Sequence, residues 1–186
     1  MLKKLILIDG AAGTGKTDLV EYVKNRYHNA NMLRKYTTRP FREEEKNSNL
    51  DLIFLSEEEF AKKNFGDKNK YPYGGHLYGF NEDELRASLE KYEFTLVIIR
   101  SIQIIKRLQA DYKYKAIVVP IYIYTDRNLV VERLKSDGYT NDKIDFRLKR
   151  SESCWEDYLE NDYFETPIII NNSNKVKNKK KINQIF

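Results

Sequence analysis

Apolar residues fall into two kinds of pattern along this chain. Continuous runs occur at "KLILID" (4–9), "FTLVII" (94–99), "KAIVVPIYIY" (115–124) and "PIII" (167–170). Runs this short and this apolar predict strands buried on both faces, as in a parallel sheet. The second pattern is helical. Leu19, Val20 and Val23 mark a helix from Lys16 to about His28, and similar spacing covers 101–110, 127–136 and 143–159. In the last of these, Ile144, Leu148, Trp155 and Leu159 form one packing stripe, with Arg147 and Arg150 together on its flank, free to face a cleft. Strands alternating with helices predict an α/β fold, a parallel sheet flanked by helices, with ligands at the carboxyl ends of the strands.

The stretch from 33 to 92 breaks this rhythm. Its strands are short and interrupted by polar residues, Gly74-Gly75 marks a turn, and Ser56 with Glu59 has the spacing of a capping box. It reads as a lobe inserted into a single domain. Thr125 and Asp126 follow a strand and precede "LVVERL", the position of a helix N-cap.

Between the first strand and the first helix lies Gly10-Ala11-Ala12-Gly13-Thr14-Gly15-Lys16-Thr17. Strand, glycine loop and helix in this order are the context of a phosphate-binding loop. The backbone N–H groups of Gly13 to Thr17 would cradle a nucleoside triphosphate at the helix N-terminus, where the dipole also favours anions. Lys16 would reach the bridging and terminal phosphates, and the Thr17 hydroxyl would ligate Mg²⁺. The strand "TLVII" runs into Arg100 and Ser101 rather than an acid, and no Asn-Lys-x-Asp run is present. Motor and GTPase readings lose ground on both counts.

Composition narrows the classes further. The chain has 186 residues, 41% of them hydrophobic and 33% charged, as expected of one globular domain. The net charge of +5 equals the five lysines of the tail, Lys175, Lys177, Lys179, Lys180 and Lys181, which has no acid beside them. A neutral body with a lysine tail is not the basic face of a specific nucleic-acid binder, and the tail (173–186) reads as a solvated helix or a frayed end. Cys154 is the single cysteine and His28 and His76 lie far apart, which excludes an internal disulfide and a histidine metal cluster. No apolar run can span a bilayer and "MLKKLILID" lacks a signal pattern, so the cytoplasm is the expected compartment. Oligomeric state is not legible.

Arg39 and Arg42 lie in the inserted stretch beside Thr37 and Thr38, in "YTTRPFREEE". Paired guanidinium forks suit a phosphate monoester dianion; the alternative is a surface ion pair with Glu43 to Glu45.

In the order "DGAAGTGKT", "YTTRPFREEE", "DLIFLSEEEFAKK", "GGHLYGFNEDEL", "ERLKSDGYTNDKIDFRL" and "YFETPIIINN", the chain resembles the guanylate kinase family from about residue 3 to 172. The resemblance implies a P-loop NTPase-type core (about 1–32, 93–133 and 160–172), a nucleoside-monophosphate-binding lobe (about 33–92) and a lid (about 134–159). It implies ATP with Mg²⁺ as donor and cofactor. Arg39, Arg42 and Tyr78 would hold the acceptor phosphate, Glu45 would close the "REEE" block of that site, and Arg147 would be the lid arginine on the transferring group. Lys16, Arg39 and Arg147 are therefore the expected catalytic residues.

The departures from the family pattern fall on the acceptor. Asn69 and Phe80 stand where the family has a guanine-selecting Glu and a small hydroxyl, Leu52 replaces a phosphate-binding Tyr, and Asp137 replaces a second lid arginine. Arg100 or Ser101 occupies the place of an Asp. The "VIIRS" and "YTTR" segments also resemble the ribose 1,5-bisphosphate phosphokinases, and Arg100 as an extra substrate-binding cation would suit a more anionic acceptor. The expected activity is ATP-dependent phosphorylation of a nucleoside monophosphate, GMP to GDP foremost. A sugar-phosphate kinase and a non-catalytic, protein-binding guanylate-kinase-like module are the alternatives.

Overall fold

The apolar runs become the inner strands of a five-stranded parallel sheet, in the order β2-β7-β1-β8-β9. The structure, a computed structural model, describes residues 3–42, 51–160, 168–172 and 182–185. The strands are β1 (Lys4–Gly10), β2 (Ala30–Met32), β7 (Phe94–Ile98), β8 (Ile117–Tyr124) and β9 (Ile168–Asn171). Register places Ile8 of β1 opposite Ile98 of β7 and Ile121 of β8. Leu5 and Leu7 face one side of the sheet and Ile6 and Ile8 the other, all fully buried, which is why β1 reads as an unbroken apolar run.

Helices cover both sides. On the Ile6/Ile8 face lies α1 (Lys16–Arg26), which buries Leu19, Val20 and Val23. Each such side chain contributes about 1.5–3 kcal/mol of burial. On the Leu5/Leu7 face lie α3 (Glu82–Lys91), through Leu85 and Leu89, and α4 (Ile102–Tyr112), through Ile104, Ile105, Leu108 and Tyr112. At the carboxyl end of β8, α5 (Arg127–Ser136) and α6 (Asn141–Glu160) pack together through Val130, Leu134, Tyr139 and Ile144, with Leu148 partly buried against them. The Ile144/Leu148 half of the expected stripe is thus a packing face; the side chains of Trp155 and Leu159 lie outside the described residues.

Residues between β2 and β7 form a second, mixed sheet in the order β4-β3-β6-β5. Its strands are β3 (Lys35–Thr37), β4 (Leu52–Phe54), β5 (Lys70–Tyr73) and β6 (His76–Gly79), with α2 (Glu57–Lys62) between β4 and β5. The capping box of α2 forms as its spacing implies: Glu59 N–H donates to Ser56 Oγ at 3.1 Å and Ser56 N–H to Glu59 Oε2 at 2.7 Å. The inserted lobe does not stand apart. Leu33, Leu52, Tyr71, Tyr78 and Phe80 join the cluster that holds Leu5, Val97, Ile105 and Leu108, so lobe and main sheet share one core.

One element escapes the sequence reading and two local readings are refined. The edge strand β2 was not legible, because three residues are too few to show a period. Asp126 takes the N-cap position of α5 but makes no capping hydrogen bond with its side chain, while the Thr125 hydroxyl donates to Thr14 O at 3.1 Å. At the end of the tail, 182–185 is helical and not frayed, with Ile182 and Ile185 buried against the α1 face and Asn183 and Gln184 exposed. Lys4 Nζ donates to Ile185 O at 2.7 Å and Tyr22 Oη to Asn183 Oδ1 at 2.9 Å. The tail lysines themselves lie outside the described residues.

Candidate functional site

The loop after β1 is shaped by its glycines. Gly15 sits at the N-cap of α1 with φ of +90°, a conformation disfavoured for residues with a Cβ, and a Cβ there would run into the side-chain amide of Asn172. That amide instead donates to Thr14 O at 2.8 Å, tying the loop to the end of β9. The Thr14 hydroxyl closes the loop on itself, donating to Ala11 O at 2.9 Å, and Thr17 follows in the first turn of α1. Arg133, on α5, was not singled out by sequence reasoning. Its guanidinium donates to Asn172 O at 3.1 Å and reaches Gly13 O at 3.4 Å, bracing the loop from the α5 side.

Lys16 folds back over this loop. Its Nζ donates to Gly10 O at 2.7 Å and Ala11 O at 2.5 Å. Burial, with the Arg100 guanidinium nearby, lowers its pKa to about 7 against the opposing pull of Asp9 and Asp51. The ammonium is thus held where it is costly and unmatched by a full counter-charge, which is the electrostatic condition of an anion site.

Arg100 follows β7 and also reaches the loop. Its Nε lies 2.8 Å from Asp9 Oδ1, and its NH1 donates to Gly10 O at 2.6 Å. Asp9 is 3% exposed and also accepts the Gly10 N–H at 2.6 Å. Sequence reasoning looked for an acid at the end of β7 and found Arg100; that arginine is paired with an acid near the end of β1, Asp9, because parallel register places the two strand ends side by side. The signal was present as the "D" immediately before the glycine loop.

The lobe adds a second buried ion pair. Lys35, 3% exposed, lies 3.3 Å from Asp51 across the β3–β4 pair. Burial works against its charge, but Tyr71, Asp51 and Tyr78 outweigh that cost and hold the ammonium above its ordinary range. Tyr78 is buried, stacked on Tyr71 with ring centroids 5.6 Å apart, and Lys35 Nζ lies 5.8 Å from its ring centre. Lys16 feels Asp9, Arg100, Asp51 and Lys35 together, so loop and lobe form one electrostatic site. Arg39 is buried at its rim, with its NH1 donating to Pro40 O at 3.1 Å and its guanidinium 5.1 Å from the Phe54 ring centre. Arg42 ends the described part of that loop, and Glu45 lies outside the described residues.

The two arginines of α6 diverge. The Arg147 guanidinium stands 4.0 Å from the ring centre of Tyr139, within the α5–α6 unit, whereas Arg150 stands 4.7 Å from the ring centre of Tyr73 in the lobe. Each guanidinium thus lies on an aromatic ring, Arg147 within the α5–α6 unit and Arg150 on the lobe.

Among known proteins, this chain is similar to a guanylate kinase of Prochlorococcus marinus subsp. pastoris, 27% identical over 81% of both chains. It is 30% identical to a guanylate kinase of Thermotoga maritima over 84% of this chain and 74% of that one. A crystal structure of guanylate kinase from Anaplasma phagocytophilum superimposes on 99% of this chain and 84% of that one with a TM-score of 0.64, at 18% identity, which is a likeness of fold. The family model described as guanylate kinase matches residues 2–185. The chain belongs to the guanylate kinase family. With that family goes the P-loop NTPase fold, here a parallel sheet flanked by helices.

At the positions where this guanylate kinase family member departs from the family pattern, the side chains are occupied elsewhere. Asn69 is 3% exposed; its Nδ2 donates to Phe65 O at 2.7 Å and Glu82 Oε2 at 3.1 Å, and its Oδ1 accepts from Arg107 NH2. That leaves no donor on this amide for a ligand. Phe80 is fully buried and Leu52 nearly so, both in the core shared by lobe and sheet. Asp137 is the C-cap of α5. Among the described residues no group of three or more His, Cys, Asp or Glu gathers as a metal site, and no helix is long and apolar enough to cross a membrane.

Proposed function

We propose that this chain is an ATP-dependent phosphotransferase that phosphorylates a nucleoside monophosphate, with GMP to GDP as the leading reaction. The observation that carries the reading is the buried, half-neutralised Lys16 on a glycine loop at the N-terminus of α1, facing the lobe that holds Lys35, Arg39 and Tyr78. The backbone N–H groups of Gly13 to Thr17 would hold the β- and γ-phosphates, and Lys16 would leave the Gly10 and Ala11 carbonyls for the bridging and terminal oxygens. Thr17 would supply a hydroxyl to Mg²⁺. The ion usually keeps several waters and binds through substrate phosphates with one or two carboxylates; the buried Asp9 carboxylate beside the loop is an oxygen donor that fits it, and the ion would neutralise phosphate charge there. Arg39, Arg42 and Tyr78, with Glu45, would hold the acceptor phosphate. Arg147 would swing from Tyr139 onto the transferring group. Phosphoryl transfer demands positioning and charge neutralisation more than a chemical base, and these residues supply both.

A second reading, a sugar-phosphate acceptor without a base, is favoured by the occupied Asn69 amide and by the additional cations Lys35 and Arg100. A panel of nucleoside monophosphates, their deoxy forms and ribose 1,5-bisphosphate, assayed with ATP and Mg²⁺, separates the two. Sites that hydrogen-bond a base reject its analogues by about 10⁴-fold or more, whereas apolar contacts give about 10–200-fold. GMP is expected to beat AMP, CMP and UMP by less than ~10³-fold. Turnover of the sugar bisphosphate alone would move the protein to the second reading, and no turnover with any acceptor would make it a binding module.

Donor binding is expected to depend on pH through Lys16. In the free protein its pKa is about 7, and a bound triphosphate raises it by favouring the charged form. Below pH 7 the amine is already protonated and takes up nothing. Above pH 7 binding must draw in a proton, and affinity falls by up to about tenfold per pH unit until the bound-state pKa is reached. Calorimetry of a non-hydrolysable ATP analogue in buffers of different ionisation enthalpy should show close to one proton taken up near pH 8. Lys16→Arg, permanently charged, should take up none.

A further inference from the structure

Tyr73 is the last residue of β5 and precedes the Gly74-Gly75 turn, so its ring is carried by the lobe. Two guanidinium groups from elsewhere in the chain rest on it. Arg100, from the main sheet, has its Cζ 4.6 Å from the ring centre, and Arg150, from α6, has its Cζ 4.7 Å away. Arg100 is fixed to the phosphate loop through Asp9 and Gly10 O. Core, lobe and lid therefore meet at one side chain.

The seat for Arg150 is specific. Gly74 has φ of +60°, and a Cβ placed there would overlap the Arg150 side chain, with Cζ and Cδ at 3.2 and 3.3 Å beyond the first clash. Arg150 Nε is buried with no hydrogen-bond partner among the described residues. The guanidinium is thus held by the Tyr73 ring and the Phe146 ring, 5.6 Å from its Cζ, and among the described residues no carboxylate contact holds it in place regardless of the lobe. Cation–π contacts of this kind are modest, and the two arginines repel each other. The arrangement therefore gains most when anionic phosphates fill the cleft beside it.

We propose that Tyr73 is a positioning residue for phosphoryl transfer: it holds Arg100 and Arg150 on one ring, so that the placement of α6 over the donor is coupled to the lobe that takes the acceptor. The proposal rests on the kinase reading above. It makes the two substrates bind cooperatively, and coupling between sites typically reaches about 5–150-fold.

The test is the affinity of a non-hydrolysable ATP analogue with and without GMP, measured by calorimetry. The wild type and Tyr73→Phe, which keeps the ring, should bind the analogue about tenfold more tightly with GMP present. Tyr73→Leu and Arg150→Gln should fall below about twofold coupling, and so should Gly74→Ala, which displaces Arg150 while leaving Tyr73 intact. Full coupling in folded Tyr73→Leu or Arg150→Gln overturns the proposal, as does a wild type that binds both ligands independently. If the wild type binds neither ligand, the kinase reading fails, and spin labels at Leu77→Cys and Lys149→Cys, in a Cys154→Ser background, test the contact directly. A lid-to-lobe distance distribution that broadens in Tyr73→Leu but not in Tyr73→Phe supports it; one unchanged in both overturns it.

Discussion

Lys16→Ala is expected to lower kcat by at least ~10²-fold, the usual consequence of removing one preorganised charge from a transition state. The loss should not come from unfolding. Folding takes Lys16 from a pKa of 10.5 to about 7, so between those values the unfolded chain binds the proton more readily than the folded one. The lysine therefore opposes folding at neutral and mildly alkaline pH, and stability from this group rises as the pH climbs towards 10.5. Alanine removes the opposition along with the charge. Steady-state kinetics paired with thermal melts check both halves: kcat falls while Tm holds or rises. A folded Lys16→Ala chain with near-normal kcat would contradict the kinase reading.

Arg100→Ala should have the largest effect on stability. It removes the guanidinium that lies 2.8 Å from the Asp9 carboxylate, a group only 3% exposed. Breaking a buried pair from one side costs about 3–5 kcal/mol, because the remaining charge keeps its desolvation penalty. For a chain of this size that is a fall in Tm on the order of 10 °C. Asp9→Ala combined with Arg100→Ala should recover part of the loss, since no unmatched charge then remains. Denaturant titration of the two single variants and the double variant reads the coupling directly. Additive effects would mean that the pair does not act as a unit.

Much of the architecture was legible because parallel strands and amphipathic helices write their periods into the sequence. "LILI", "TLVII" and "IYIY" could hardly be anything but buried strands, and α5 was bounded at 127–136 from its pattern alone. The glycine loop was legible for a conformational reason, since Gly10, Gly13 and Gly15 all take positive φ. What was not legible depends on register. Lys35 and Asp51 are separated by a stretch whose length says nothing of contact, and they meet because β3 and β4 pair with Lys35 opposite Leu52. Asp9 and Arg100 meet because β1 and β7 run parallel with Ile8 opposite Ile98. Helical spacing placed Arg147 and Arg150 on one flank, but their separation onto Tyr139 and Tyr73 is decided by rings on other elements. Asn69 was recognisable as a departure from the family; that its amide is consumed by Phe65, Glu82 and Arg107 required the fold.

The most direct test of phosphoryl transfer in this cleft follows the γ-phosphate itself. ATP labelled at that position, incubated with Mg²⁺, GMP and the wild-type chain, should yield label in the β-position of the nucleoside diphosphate. One ADP should form for each acceptor phosphorylated, and Lys16→Ala should suppress both products together. Label recovered only as inorganic phosphate, or no ADP formed with any phosphorylated acceptor, would contradict the assignment.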